Sequence, residues 1–145
     1  ATRNDLSLIA VVLKAPSPKI RFTEAKLLLD YGFNTYSFKK LCQKDKIHAN
    51  IAIGKGIENS LNLVYEKDLG IVNKKTDLNN IVENVSISEN IAAPISKGDV
   101  LGKITYLTEN SELASVNLVA ETDIQKISLT SVFKKISFYW FSLLK

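Results

Sequence analysis

The hydrophobic and polar positions of this chain change period twice. Residues 6–13, LSLIAVVL, form a continuous apolar run rich in Val and Ile. A short run of that kind, bounded by Asn4-Asp5 and Pro16, predicts a strand buried on both faces. From Ser17 the spacing becomes helical. Ser17-Pro18 places a hydroxyl cap before proline at the first helical position. Phe22, Ala25, Leu28 and Leu29 then share one helical face, and Gly32 is the expected C-cap. Residues 1–33 therefore read as strand, loop and amphipathic helix.

Beyond Phe33 the pattern alternates with a period of two. Short segments at 34–41, 47–53, 61–65, 81–87, 100–107 and 112–119 are separated by turn clusters at Gly54-Lys55-Gly56, 73–77, Lys97-Gly98-Asp99 and Glu109-Asn110-Ser111. Strands of that length and spacing predict a small antiparallel β-sandwich over residues 34–127. Segments 101–107 and 112–119 are expected to pair as a hairpin around 108–111.

The last segment, 128–145, returns to helical period. Leu129, Val132, Phe133, Ile136, Trp140, Leu143 and Leu144 fall on one face, with Lys134, Lys135 and Lys145 on the other. Phe138 interrupts the polar side. Eighteen residues would span about 27 Å as a helix. Two lysines near the middle make a spanning helix costly, at roughly 2.5–3.5 kcal/mol each. An apolar face, a basic face and a cluster of aromatics suit the headgroup boundary of a membrane. The competing reading, a helix packed on the β domain, leaves Phe138 without a place.

Charge sharpens that division. The chain carries 19 Lys and Arg against 15 Asp and Glu, and every acidic residue lies at or before Asp123. The segment 128–145 carries three lysines and no acid, so the body is nearly neutral and the tail is basic. With only Arg3 and Arg21 as arginines, nucleic-acid binding is not expected. Cys42 is the one cysteine, which excludes an internal disulfide and suggests a buried, inert thiol. Residues 1–5 are polar, without the apolar stretch of a signal peptide. The run at 6–13 has no strand before it to pair with. The sequence is thus expected to be the later part of a longer protein.

Candidate nucleophiles reduce to coincidence. Ser-x-x-Lys occurs at Ser37–Lys40 and Ser131–Lys134, a spacing that on a helix brings a lysine amine to a serine hydroxyl. Ser37, however, falls in an expected strand, where residues three apart point to opposite faces. Ser131 falls in the amphipathic tail. Ser-x-Asn at Ser60–Asn62 and Ser115–Asn117 lies in expected strands, and Lys75-Thr76-Asp77 is a near miss to Lys-Thr-Gly in an expected turn. His48 is the single histidine, so a His-based triad or His-rich metal site is not expected; it is placed on a strand surface. Gly54-Lys55-Gly56 lacks the strand–loop–helix context of a phosphate cradle. The acid pairs Glu66/Asp68 and Glu121/Asp123 read as solvated turn residues. No cofactor is expected.

Taken in order, these segments resemble a known family. Leu8-Ile9-Ala10-Val11-Val12-Leu13, Ala15-Pro16-Ser17 and Arg21-Phe22-x-Glu24-Ala25-x-x-Leu28-Leu29-x-Tyr31-Gly32-Phe33 resemble the end of the catalytic domain of low-molecular-mass penicillin-binding proteins, the serine-type D-Ala-D-Ala carboxypeptidases. Ala93-Pro94-Ile95-x-Lys97-Gly98-x-x-x-Gly102-Lys103-Ile104 and Val116-x-Leu118-Val119-Ala120-Glu121 resemble that family's small C-terminal β domain. The closing amphipathic segment resembles its membrane anchor.

The resemblance implies three parts: residues 1–33 as the terminal strand and helix of an α/β transpeptidase-like domain, 34–127 as the β-sandwich domain, and 128–145 as an anchor helix. It implies cell-wall peptide trimming through an acyl-serine in the intact enzyme, where alone the peptidoglycan peptide would be bound. It also implies a peripheral location on the outer face of the bacterial cytoplasmic membrane. The family's Ser-x-x-Lys, Ser-x-Asn and Lys-Thr-Gly motifs have no usable counterpart here, so this chain is expected to be inactive alone and to have no catalytic residue. A non-enzymatic β module that binds the membrane surface and a protein partner is the alternative. A biotinyl or lipoyl carrier would need a lysine at a hairpin tip, and the tip at 108–111 has none.

Overall fold

The computed structural model describes residues 1–109 and 111–128. It begins with a two-stranded ribbon: β1 (Thr2–Arg3) pairs antiparallel with β2 (Leu6–Ser7). The long strand expected over 6–13 is therefore corrected to two residues. A strand buried on both faces needs a neighbour along each edge, and no described strand pairs with residues 8–13. Leu6 is buried, while Ile9, Val11 and Leu13 are 92%, 71% and 84% exposed.

Helix α1 (Pro18–Thr35) starts as the sequence indicates. Ser17 is extended, its Oγ accepts from the Ile20 amide at 3.4 Å, and proline occupies the first turn. Its end is different. Gly32 does not stop the helix, which runs on to Thr35, and the Tyr36 amide donates to the Gly32 carbonyl. The glycine serves close approach instead: the Leu8 side chain stands where a β-carbon at 32 would project. Phe33 is the one buried residue of α1, and Phe22, Leu27 and Tyr31 are exposed.

The rest is antiparallel β structure. Five strands, β4 (Ile47–Ala52), β5 (Ser60–Tyr65), β7 (Val82–Ile87), β8 (Val100–Thr108) and β9 (Ser111–Ala120), form one sheet in the order β4-β5-β9-β8-β7. The other two, β3 (Tyr36–Cys42) and β6 (Leu69–Lys74), pair with each other. The expected hairpin is β8–β9, with Thr108 opposite Ser111. The strand with no counterpart among the alternating segments is β6, which precedes the short helix α2 (Lys75–Leu78). Gly70 and Asn73 make the 69–74 segment resemble a connection. In the fold, the Phe38 ring lies where a side chain at 70 would stand, so glycine is what lets β3 and β6 close on each other.

Alternation decides which residues meet. Leu63 and Tyr65 on β5, Ile104 and Tyr106 on β8, and Val116 and Leu118 on β9 point the same way and bury. Cys42 of β3 joins them, with half-buried Leu41 and Leu69 packed alongside. The β3–β6 pair thus covers one face of the five-stranded sheet, giving a small two-layer sandwich. A second cluster, Ile53, Leu61, Ala93, Ile95, Ala120 and Ile124, fills one end.

Candidate functional site

The ten residues expected to meet a membrane, Leu129 to Lys145, lie outside the described residues, as does Ser131–Lys134. The structure does describe the base from which that segment continues. There Ile124 exchanges both backbone hydrogen bonds with Ile95, at 2.8 and 3.0 Å. Gly56 then bridges Lys126, the Ile57 amide donates to Gln125 O at 3.0 Å, and the Ile127 amide donates to Lys55 O at 2.9 Å. The Gly54-Lys55-Gly56 turn is thus a fastening point. Gly54 holds residues 91–93 through Gly54 N to Ile91 O and Ala93 N to Gly54 O, both 2.9 Å. A β-carbon on Gly56 would stand 2.7 Å from Glu58 O and 2.8 Å from Ile124 Cγ2, so only glycine fits.

The candidate nucleophiles are not assembled. Ser37 and Lys40 lie on β3, where Ser37 Oγ donates to the Phe38 carbonyl at 3.4 Å and Lys40 Nζ pairs with Asp68 at 3.4 Å. Ser60, Asn62, Ser115 and Asn117 are strand residues. Lys75-Thr76-Asp77 begins α2 rather than a turn, and Thr76 Oγ1 donates to Asp77 at 3.0 Å. Among the described residues no group of His, Cys, Asp and Glu is placed to hold a metal ion, and no helix is long and apolar enough to cross a membrane.

Two polar arrangements go beyond the sequence reading. His48 is half-buried rather than on an open strand surface, with Nδ1 2.9 Å from Tyr65 Oη. The acid pairs are at the surface as expected, with Glu66, Asp68 and Asp123 exposed and Glu121 half-buried, but each carboxylate also takes a partner. Glu66 accepts from Asn117 Nδ2 at 2.9 Å and Glu121 from Asn62 Nδ2 at 2.8 Å. Asp123 accepts from the Lys97 amide at 2.7 Å, and Asp68 pairs with Lys40. The lone thiol is buried as expected: Cys42 Sγ donates to Lys67 O at 3.5 Å, and burial raises its pKa.

Residues 36–126, well over half of the chain, match the family model described as penicillin-binding protein 5, C-terminal domain. This chain belongs to that family. Over 141 residues it is 28% identical to D-alanyl-D-alanine carboxypeptidase DacF of Bacillus subtilis, covering 97% of this chain and 36% of that protein. It is 31% identical over 124 residues to D-alanyl-D-alanine carboxypeptidase DacA of Haemophilus influenzae, covering 85% of this chain and 32% of that protein. Among solved structures, penicillin-binding protein 5 from Haemophilus influenzae superposes with a TM-score of 0.63 at 28% identity, over 77% of this chain and 33% of the other. The chain therefore spans about a third of the relatives it matches. The penicillin-binding protein 5 domain accounts for β3 through β9, and the sandwich expected from alternation is its fold.

Proposed function

We propose that this chain supplies the spacer domain and the membrane anchor of a D-alanyl-D-alanine carboxypeptidase, and that acyl-serine chemistry belongs to the rest of the intact enzyme. On this reading residues 1–33 edge the catalytic domain, 34–127 hold it away from the bilayer, and 128–145 lie in the outer surface of the cytoplasmic membrane. The carrying observation is the match of 36–126 to the penicillin-binding protein 5 C-terminal domain. Two further features support it. Ser37 and Lys40 spend their polar atoms on separate partners, and the chain past Ser128 is rich in apolar and basic residues without acid.

The activity half is tested by incubating the chain with a labelled β-lactam and with a peptide ending in D-Ala-D-Ala. Neither a covalent adduct nor released D-alanine is expected, and a stoichiometric adduct on Ser37 or Ser131 would overturn the reading. The anchor half is tested by vesicle sedimentation with and without residues 129–145. Deletion is expected to abolish binding; unchanged binding would remove the anchor role from this segment.

A further inference from the structure

We infer that the β domain itself touches the lipid surface, through a small foot formed where residues 54–57 meet 124–127. The inference rests on the anchor reading above and adds to it a site on the sandwich. The geometry comes from the pairing. Gly56 bridges Lys126 in antiparallel fashion, flanked by the hydrogen bonds Ile57 N to Gln125 O and Ile127 N to Lys55 O. Side chains alternate across such a pair, so residues flanking the bridge share the face opposite to the bridged ones. Gly56 points inward, because a β-carbon there would meet Ile124 and Ile53. Lys55, Ile57, Gln125 and Ile127 are therefore directed outward together.

Their exposure fits that placement. Ile57 is 42% and Ile127 46% exposed, and Lys55 and Gln125 are exposed. Two neighbouring isoleucines held open by backbone hydrogen bonds do not contribute to either core cluster. Lys55 shares the outward face of the two isoleucines, and residues 54–57 and 124–127 contain no carboxylate. Apolar tips beside lysine are the composition of an interfacial contact. The chain passes from Ile127 through Ser128 into the basic, apolar segment 129–145, so on the anchor reading this foot is the part of the described fold from which the anchor segment continues. A lipid surface carrying anionic headgroups is the partner that takes both the isoleucines and Lys55.

The test uses the full chain and vesicles of phosphatidylglycerol and phosphatidylcholine. Ile57→Glu and Ile127→Glu should each lower the partition coefficient about tenfold on every vesicle composition. Lys55→Gln should lower it about fivefold on anionic vesicles only. A nitroxide on Ile57→Cys should report membrane depth, whereas one on Glu89→Cys, on an exposed loop, should report water. Circular dichroism confirms that each variant is folded. Should deleting 129–145 abolish binding while the isoleucine variants bind as wild type and the Ile57 label reports water, the foot is overturned and the anchor reading stands. Should binding survive that deletion and fail in Ile57→Glu, the foot stands and the anchor reading falls.

Discussion

Asn62 and Glu121, 59 residues apart in sequence, are joined by a hydrogen bond of 2.8 Å from the Asn62 amide to the carboxylate. Asn62 also accepts from Asn50 Nδ2 at 2.7 Å, so one amide links β4, β5 and the turn after β9. Removing the acceptor leaves a half-buried amide without its partner. Glu121→Ala should lower stability by about 1–2 kcal/mol in urea unfolding. Glu89→Ala, on an exposed loop, should stay within about 0.5 kcal/mol. Equal effects would mean that the amide–carboxylate bond stabilises nothing.

Tyr106 is 1% exposed, and its hydroxyl has no hydrogen-bond partner among the described residues. Burial, followed by the charges that neighbouring Tyr65, Cys42 and Glu83 would present, holds its phenol above the ordinary tyrosine range. The unfolded chain releases this proton near pH 10, and the folded chain keeps it. The folded state therefore binds more protons above that pH, and its stability falls as pH rises from about 10 upward. Tyr106→Phe should flatten that fall and leave stability at pH 7 unchanged or higher by about 1 kcal/mol at most. Tyr65 and Cys42 are also raised by burial, so part of the alkaline loss persists. An identical alkaline slope in the variant would refute the assignment.

Two glycines should respond differently to alanine. Gly56→Ala sets a methyl against Glu58 O and Ile124, neither of which can swing aside freely. It should cost about 2 kcal/mol or more. Gly98 has φ +89° with open space around it, so only backbone strain opposes alanine there, at about 1 kcal/mol. Thermal melts of both variants decide the order, and a larger loss at 98 would contradict the packing at 56.

Ile9, Val11 and Leu13 are exposed side chains in a segment with little pairing. Replacing the three with Ser should leave the urea midpoint of the chain nearly unchanged, within about 0.5 kcal/mol. It should raise the concentration at which the chain stays monomeric in light scattering, because exposed apolar segments promote association. A large drop in stability would mean that these side chains are packed.

Local chemistry was the legible part of this fold. The Ser17-Pro18 cap, the β8–β9 hairpin and most strand limits could be read from residues because a hydroxyl, a proline or an alternating pattern acts within a few positions. What escaped the sequence depends on distant partners. Gly32 and Gly70 look like breaks, yet one admits Leu8 and the other Phe38. Glu66 and Glu121 look like solvated acids until Asn117 and Asn62 arrive from other strands. The run at 6–13 is apolar enough for a central strand, but a strand also requires edges to bond with. Of the candidate site, the separation of Ser37 from Lys40 was legible from strand alternation. The fastening role of Gly54 and Gly56 was not.

The strand order carries a consequence for biosynthesis. Leu63, Val64 and Tyr65 of β5 pair with Ala120, Val119 and Leu118 of β9, so the strand of this sheet that is translated last among those described sits at its centre. While the ribosome extends the chain, β4 and β5 can form a ribbon, but the inner edge of β5 waits for on the order of fifty further residues. At usual elongation speeds that wait is roughly 3–10 s. During it, an apolar edge is held open in the nascent polypeptide, and the sheet can close only when its final ten-residue strand emerges.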